Sequence, residues 1–330
     1  MIIQQRSISS GKVICMENNI KLSIIVPVYK TEQYLRKCLS SIFEQDVDRS
    51  LYEVIIVNDG SPDNSQKIID EFCAKYNNTS CIVQANQGLS IARNNGVKAS
   101  QGEYVWFIDS DDWVKDISIS TIIAECSYLP DAISITYMRE DCGTTYPSSY
   151  STDGFKILQS MSFHRGMVYY ILRREFVQVH NLSIYPGIYH EDAEFTPRML
   201  YFAKSIRVIP EPLYYMYANP ASITRSVNTK RSYDLLIVSE NLLRFKNENI
   251  IEPSIARVFN HLISVNINAA LANLVNSNAI EQKIFNQALY ENQSLLSALW
   301  SGSLKYKLEY ILFKLLPSKY VKIYKILKRL

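Results

Sequence analysis

Hydrophobic and polar positions follow two periods along the first third of the chain. Leu22–Val28 is a β-branched apolar run with Pro27 near its end, which predicts a strand. Glu32–Phe43 spaces Tyr34, Leu35, Cys38, Leu39, Ile42 and Phe43 as one face of a helix. Tyr52–Val57 reads as a second strand, ending in the turn Asn58-Asp59-Gly60-Ser61-Pro62. Ser61 or Asp63 is expected to cap a helix running to about Tyr76, with Pro62 suited to an early position. Cys81–Gln84 is a short third strand, Gly88–Ala99 a helix and Tyr104–Ile108 a fourth strand. Strand-helix alternation of this kind predicts an α/β fold with a parallel sheet and helices on its faces.

The rest of the chain reads differently. Residues 1–20 show no pattern, and 1–15 are expected to be a dispensable extension before Met16. Residues 117–225 are mixed. Ala132–Met138 predicts a strand, Cys142–Thr152 a loop, and Ile206–Ile209 and Leu213–Tyr217 two short strands. An acidic cluster at Glu191-Asp192-Ala193-Glu194 opens a helix, and Asn219–Asn228 reads as a polar loop. From about Lys230 the pattern is helical to the end, with breaks near Pro253, Asn292 and Pro317. The expected division is therefore 1–20, 21–228 (in two parts, 21–115 and 116–228) and a helical region 229–330.

The fourth strand is where chemistry enters. The apolar run Tyr104-Val105-Trp106-Phe107-Ile108 stops at Asp109-Ser110-Asp111-Asp112. Carboxylates cannot continue a strand buried on both faces without a heavy desolvation cost, so the chain leaves the core here. In an extended exit, residues two apart point the same way, which would converge Asp109 and Asp111. Carboxylates so placed call for a hard cation such as Mg²⁺ or Mn²⁺, or else they cap a surface turn. Two further polar clusters end predicted parallel strands: Tyr29 with Glu32, and Asn58-Asp59-Gly60-Ser61. Ligands of parallel sheets bind at the carboxyl ends of the strands, so the three together mark a site.

Composition narrows the classes. Six cysteines are scattered without a C-x-x-C pair, which argues against a zinc site or disulfide framework and for a reducing compartment. No apolar run reaches the roughly 18 residues of a bilayer span, and the start lacks a signal-peptide pattern, so a cytoplasmic location is expected. A net charge of +3 is too small to suggest nucleic acid, but its distribution is uneven. Eight Lys or Arg and one Glu lie from Leu304 onward, a local charge of +7. In this tail apolar and basic residues alternate, as in helices that lie on anionic membranes or as in a core-covering helix with a solvated basic face.

Five motifs in order now carry a resemblance: Ser23-Ile24-Ile25-Val26-Pro27-Val28-Tyr29, Val57-Asn58-Asp59-Gly60-Ser61, Asn86-Gln87-Gly88-Leu89-Ser90-Ile91-Ala92-Arg93-Asn94-Asn95-Gly96, Phe107-Ile108-Asp109-Ser110-Asp111-Asp112 and Glu191-Asp192. Over about residues 21–225 the chain resembles glycosyltransferase family 2, which implies a GT-A Rossmann-like fold and transfer with inversion from a nucleoside diphosphate sugar, chiefly a UDP-sugar. The resemblance implies that Pro27, Tyr29 and Glu32 line the nucleoside pocket and that Asp59 accepts a hydrogen bond from the base. The residues themselves also allow Asp59 an Asx-turn before Gly60. Asn86, Gly88 and Arg93 would reach toward the nucleotide and its phosphates, or Arg93 would lie on a solvated helix face. Asp111 would bind the divalent cation, with Asp109 at the ribose or metal and Asp112 able to share either job. Asp192 would be the base that deprotonates the acceptor hydroxyl, supported by Glu191, although acids also favour the first turn of any helix. His190 is read as structural or as a metal ligand.

One departure stands out. Relatives often carry an aromatic-Arg pair before a Ser-Ile-Thr segment, whereas Tyr217 occupies that Arg position here, with Arg225 able to compensate. The acceptor implied is a hydroxyl of a surface glycan or of its lipid carrier, reached through peripheral membrane contact of 303–330. The long helices allow a homodimer. Two rivals remain: a nucleotidyltransferase, which lacks support from any Gly-rich basic loop after the first strand, and an inactive sugar-nucleotide-binding scaffold.

Overall fold

The computed structural model describes residues 19–218, 229–275, 277–300 and 304–327. The expectations for residues 1–15, for the loop 219–228 and for Arg225 lie outside them.

The first half matches the two-period pattern closely. β1 (Leu22–Val28), α1 (Glu32–Phe43), β2 (Tyr52–Asn58), α2 (Ser65–Lys75), β3 (Thr79–Val83), α3 (Leu89–Ala99) and β4 (Tyr104–Phe107) follow in turn. β1 pairs in parallel with β2 on one side and β4 on the other, and β2 pairs in parallel with β3. β1 and β4 are buried along their whole length, which their continuous apolar runs require. α1 buries Leu35, Cys38, Leu39, Ile42 and Phe43 against this sheet. α3 comes closest: a Cβ at Gly96 would stand 2.3 Å from a methyl of Ile25, so only glycine allows this approach.

β5 (Trp113–Val114), α4 (Ser118–Cys126), β6 (Ala132–Arg139), β7 (Thr145–Pro147), α5 (Gly154–Ser160), β8 (Tyr170–Arg173), α6 (Arg174–Val179), α7 (Glu191–Phe202) and β9 (Ile206–Met216) complete the sheet layer. Among the described residues the sheet order is β3-β2-β1-β4-β8-β6-β9-β5, with β7 paired to β6. β8 runs antiparallel to β4 and β6, and β5 antiparallel to β9, so the sheet is mixed beyond β4.

Three expectations are corrected here. The two short strands after residue 205 are one strand, β9, parallel to β6. Its register slips where Ile135 faces Ile209 and Thr136 faces Pro212, and that irregularity absorbs Pro210, which has no N–H for the ladder. The 142–152 loop contains β7, because Thr145–Pro147 finds partners on β6. The N-cap position of α2 falls at Asn64 rather than at Ser61 or Asp63, and Asn64 makes no side-chain cap bond; Asp63 serves the helix start instead, accepting from Ser65 N–H (3.1 Å) and from Ser61 Oγ in the turn before it.

Beyond the sheet come α8 (Thr229–Asn249), α9 (Pro253–Leu274), α10 (Ala279–Glu291), α11 (Gln293–Trp300), α12 (Leu304–Leu315) and α13 (Tyr320–Leu327). Breaks fall near Pro253, Asn292 and Pro317 as the pattern predicts, and one more separates α9 from α10, where Asn278 caps α10 through its side chain. α8 and α9 pack together, and Val238, Leu242, Phe259, Leu262 and Ile263 are fully or almost fully buried there. α8 is tied to the loop before α7: Tyr189 N–H donates to Asp234 (2.8 Å) and Lys230 Nζ to Gly187 O (2.9 Å). No helix among the described residues is long and apolar enough to cross a membrane.

Candidate active site

The carboxyl ends of β1 and β2 are stitched to each other by acids. Glu32 accepts from Asn64 N–H and Asn64 Nδ2 (3.0 Å each), while Glu32 N–H donates to Asp63 (3.0 Å). Asp63 also accepts from Ser61 Oγ (2.6 Å). Burial works to raise its carboxyl, but these hydrogen bonds outweigh it and hold Asp63 down at about 2. Tyr29 is exposed at the mouth of this corner and Pro27 is buried in the strand beneath.

Asp59 is neither an Asx-turn nor an open acceptor. It is 3% exposed. Gln84 Nε2, Gln87 N–H and Gly88 N–H all donate to its carboxylate at 2.8 Å. The acid at the end of β2 thereby holds the loop between β3 and α3 in place. Gly60 makes this packing possible: at φ +66° a Cβ would meet Asn86 N at 2.8 Å. Gly88 (φ +90°) is the N-cap of α3, and the Asn86 side chain is exposed beside it.

Arg93 is the centre of the arrangement. Its guanidinium is 2% exposed, so the solvated helix face is overturned. Nη2 donates to Asp109 (2.6 Å) and Nη1 to Glu191 (2.9 Å). Burial works against this charge, but Asp109, Glu191 and Asp192 outweigh it and hold the group more firmly protonated than an ordinary arginine. The guanidinium that the resemblance aims at phosphate thus joins the D-x-D element to the Glu191-Asp192 pair, and of its three nitrogens Nε is buried without a hydrogen-bond partner among the described residues. Its neighbours in the sequence act in the same direction. Asn94 exchanges two hydrogen bonds with the backbone of Ile184 (2.7 and 3.0 Å), and Asn95 donates to Gln84 (2.7 Å). The Arg93-Asn94-Asn95-Gly96 run of α3 clamps the parallel half of the sheet to the segment that leads into α7. Spacing alone does not reveal Asn94, since its partner is backbone 90 residues away.

The four acid-run positions separate. Ser110 Oγ shares a hydrogen bond with Thr31 Oγ1 (2.9 Å). Asp112 is buried, and its two oxygens accept from Tyr214 Oη (2.6 Å) and Tyr217 N–H (2.8 Å). That ties the strand exit to β9 and engages both oxygens of Asp112 within the protein. Tyr214 Oη also accepts from Asp109 N–H (3.2 Å), a contact the sequence does not suggest. Asp109 keeps one oxygen outside its ion pair, and the Asp111 side chain is half-buried at the turn. Tyr217 packs its ring between Tyr34 (5.0 Å) and Trp113 (6.2 Å).

Glu191 and Asp192 open α7, where the helix N-terminus favours negative charge. Asp192 accepts from Met167 N–H (3.3 Å) in the turn before β8. Burial, and then the charge of Glu191, push its carboxyl up to about 8 against the pull of Arg93. A carboxyl so raised is suited to take a proton. His190 stands at the N-cap position of α7 at φ +64°, without a side-chain cap bond, and burial lowers its pKa. Among the described residues no three His, Cys, Asp or Glu side chains are grouped to hold a metal by themselves.

Carboxylates at parallel-strand ends, joined through a buried arginine to acids on a helix, define a group-transfer site of the GT-A kind. The chain matches Glycosyl transferase family 2 over residues 23–188, and it belongs to that family. It is a glycosyltransferase. It is 32% identical to EpsH of Bacillus subtilis, a protein named as a glycosyltransferase, over 69% of this chain and 70% of that one. The fold matches S. aureus TarS 1–349 in complex with UDP-GlcNAc, with a TM-score of 0.71, 18% identity, and 93% of this chain and 88% of that chain covered. It also matches the mannosyltransferase PcManGT of Pyrobaculum calidifontis in complex with GDP-Man and Mn²⁺, with a TM-score of 0.56, 13% identity, and 93% and 87% covered.

Proposed function

We propose that this glycosyltransferase moves one sugar, with inversion, from a nucleoside diphosphate sugar to a hydroxyl of a surface glycan or of its lipid carrier. A UDP-sugar is the favoured donor, in keeping with the UDP-GlcNAc bound by TarS. The observation that carries the reading is the single buried guanidinium shared by Asp109 and Glu191. It joins a donor-side carboxylate to the acceptor-side acids, as transfer between two substrates demands.

Residues 21–228 are read as the catalytic unit. Asp192 accepts the proton of the attacking hydroxyl, and Glu191 raises its basicity by its charge. Tyr29 and Glu32 face the nucleoside, and Asp59 orders the loop that carries Asn86 and Gly88 toward it. The donor set fits a hard cation. Asp111 and the second oxygen of Asp109 would be its carboxylate ligands, and the substrate's phosphates and water would complete the shell, which is how Mg²⁺ and Mn²⁺ sites are commonly built. When bound, the cation supplies positive charge against the departing diphosphate.

The test is a panel of nucleotide sugars with and without Mn²⁺, scored for thermal stabilisation and slow donor hydrolysis. One nucleotide sugar is expected to give both, with the cation. Stabilisation without hydrolysis or transfer would favour an inactive scaffold, and no response to any donor would overturn the reading. We place the enzyme on the cytoplasmic face of the membrane, where a lipid-linked acceptor would be presented.

A further inference from the structure

The basic tail predicted as a single amphipathic stripe divides into two faces on α12. Tyr306, Glu309 and Phe313 are buried against the neighbouring helices. Leu304, Leu308, Ile311 and Leu315 stand on the opposite side, 73%, 52%, 41% and 70% exposed. Their spacing of four, three and four residues puts them in one line along the helix. A helix that only covered a core would have one apolar face, and the second one here is left to solvent. Trp300, at the end of α11, is 52% exposed and holds Lys307 Nζ 5.8 Å from its ring.

Charge identifies what would cover this face. At 3.6 residues per turn, Lys305 falls on one flank of the stripe and Lys307 and Lys314 on the other. All three are exposed. The one acid of α12, Glu309, is turned inward, where it accepts from Asn268 (2.7 Å). An apolar stripe with lysines on both flanks and no outward carboxylate suits acyl chains beneath anionic headgroups, with the lysine stems reaching up along the flanks. A second copy of the chain would set like charges against like.

We propose that the outward face of α12 is a seat for an anionic lipid surface. For its purpose, access to a lipid-linked acceptor, the inference rests on the function proposed above; its test does not.

The full chain is sedimented with vesicles of phosphatidylcholine alone and of phosphatidylcholine with phosphatidylglycerol. Binding is expected to the anionic vesicles and to weaken with salt. The double variant L308E/I311E should lower the partition roughly tenfold or more. The triple variant K305Q/K307Q/K314Q should lower it by about a hundredfold, at roughly fivefold per lysine. These positions are exposed, and an unchanged thermal unfolding midpoint in the variants shows that the fold is intact. Equal binding to neutral vesicles, binding to neither, or wild-type binding by L308E/I311E overturns the seat. So does a dimer in light scattering that L308E/I311E dissolves while lipid binding stays. Lipid binding by a chain that hydrolyses no donor leaves the seat standing and overturns the proposed reaction instead.

Discussion

The two halves of the proposed site, its donor side and its acceptor side, are built by different means. On the donor side, the ends of β1 and β2, the loop after β3 and the exit of β4 are held mostly by contacts among neighbouring parallel strands and their loops. Asp59 to the 84–88 loop and Glu32 to Asn64 are examples. On the acceptor side, Asp192 stands on a helix whose position depends on distant partners: Arg93 through Glu191, Asn94 through Ile184, and Asp234 through Tyr189. The donor side can be built from a repeated strand-helix unit, whereas the acceptor side needs the rest of the molecule first. A regular half can preserve one nucleotide-handling geometry while an irregular half varies the acceptor, which is how one fold serves many substrates.

This contrast can be broken at its joints. Asp192→Asn should abolish the base while leaving the donor side intact. Transfer is expected to fall by about 10²–10⁴-fold. Nucleotide affinity, measured by calorimetry, should stay near that of the parent. Full activity in this variant would remove Asp192 from the mechanism.

Arg93→Met attacks the joint itself. It leaves Asp109 and Glu191 partly buried without their shared cation, a change that costs about 3–5 kcal/mol in comparable buried pairs. Urea unfolding should show the loss, and hydrogen exchange should rise at the start of α7. An unchanged midpoint would mean that the two halves are held together elsewhere.

Asp59→Ala should stay on the donor side. Three partly buried donors lose their acceptor, at a cost of roughly 1–3 kcal/mol. Faster exchange at the amides of Gln87 and Gly88 and weaker nucleotide binding are expected, with α7 unaffected. Protection that spreads or fails evenly across both halves would contradict their separate construction.

The smallest effect is a displacement in pH. As the proposed base, Asp192 would have to be unprotonated to act, and its carboxyl is raised by burial and by the charge of Glu191. Transfer should therefore rise with pH over a range well above that of an ordinary carboxylate. Glu191→Gln removes the neighbouring negative charge, so the rising limb should move to lower pH. A limb that stays in place would detach the titration from this pair.

Much of the donor side is legible in the amino-acid sequence. β1 and α1 run over the same residues as the apolar pattern predicts, because strands buried on both faces and amphipathic helices leave unambiguous periods. The acceptor side is not. β8 and β5 are too short to show a period, and β7 lies in a stretch of turn-forming residues that pairs only because β6 is beside it. β9 reads as two strands in the sequence, since prolines break the local pattern and only pairing with β6 joins the pieces.

Among the site residues, the sequence by itself determined which side chains carry charge to the strand ends and to the start of α7: Asp59, Asp109, Asp111, Glu191 and Asp192. Residue type and strand-end position are local properties, and burial cost keeps unpaired acids out of the middle of a buried strand. Only the tertiary structure decided what each one meets. It gave Asp112 to β9, Asp59 to the 84–88 loop and Arg93 to two carboxylates 82 positions apart in the chain. It also turned half the apolar residues of α12 outward. Pairings of that kind depend on how the halves dock, and no periodicity along the chain records them.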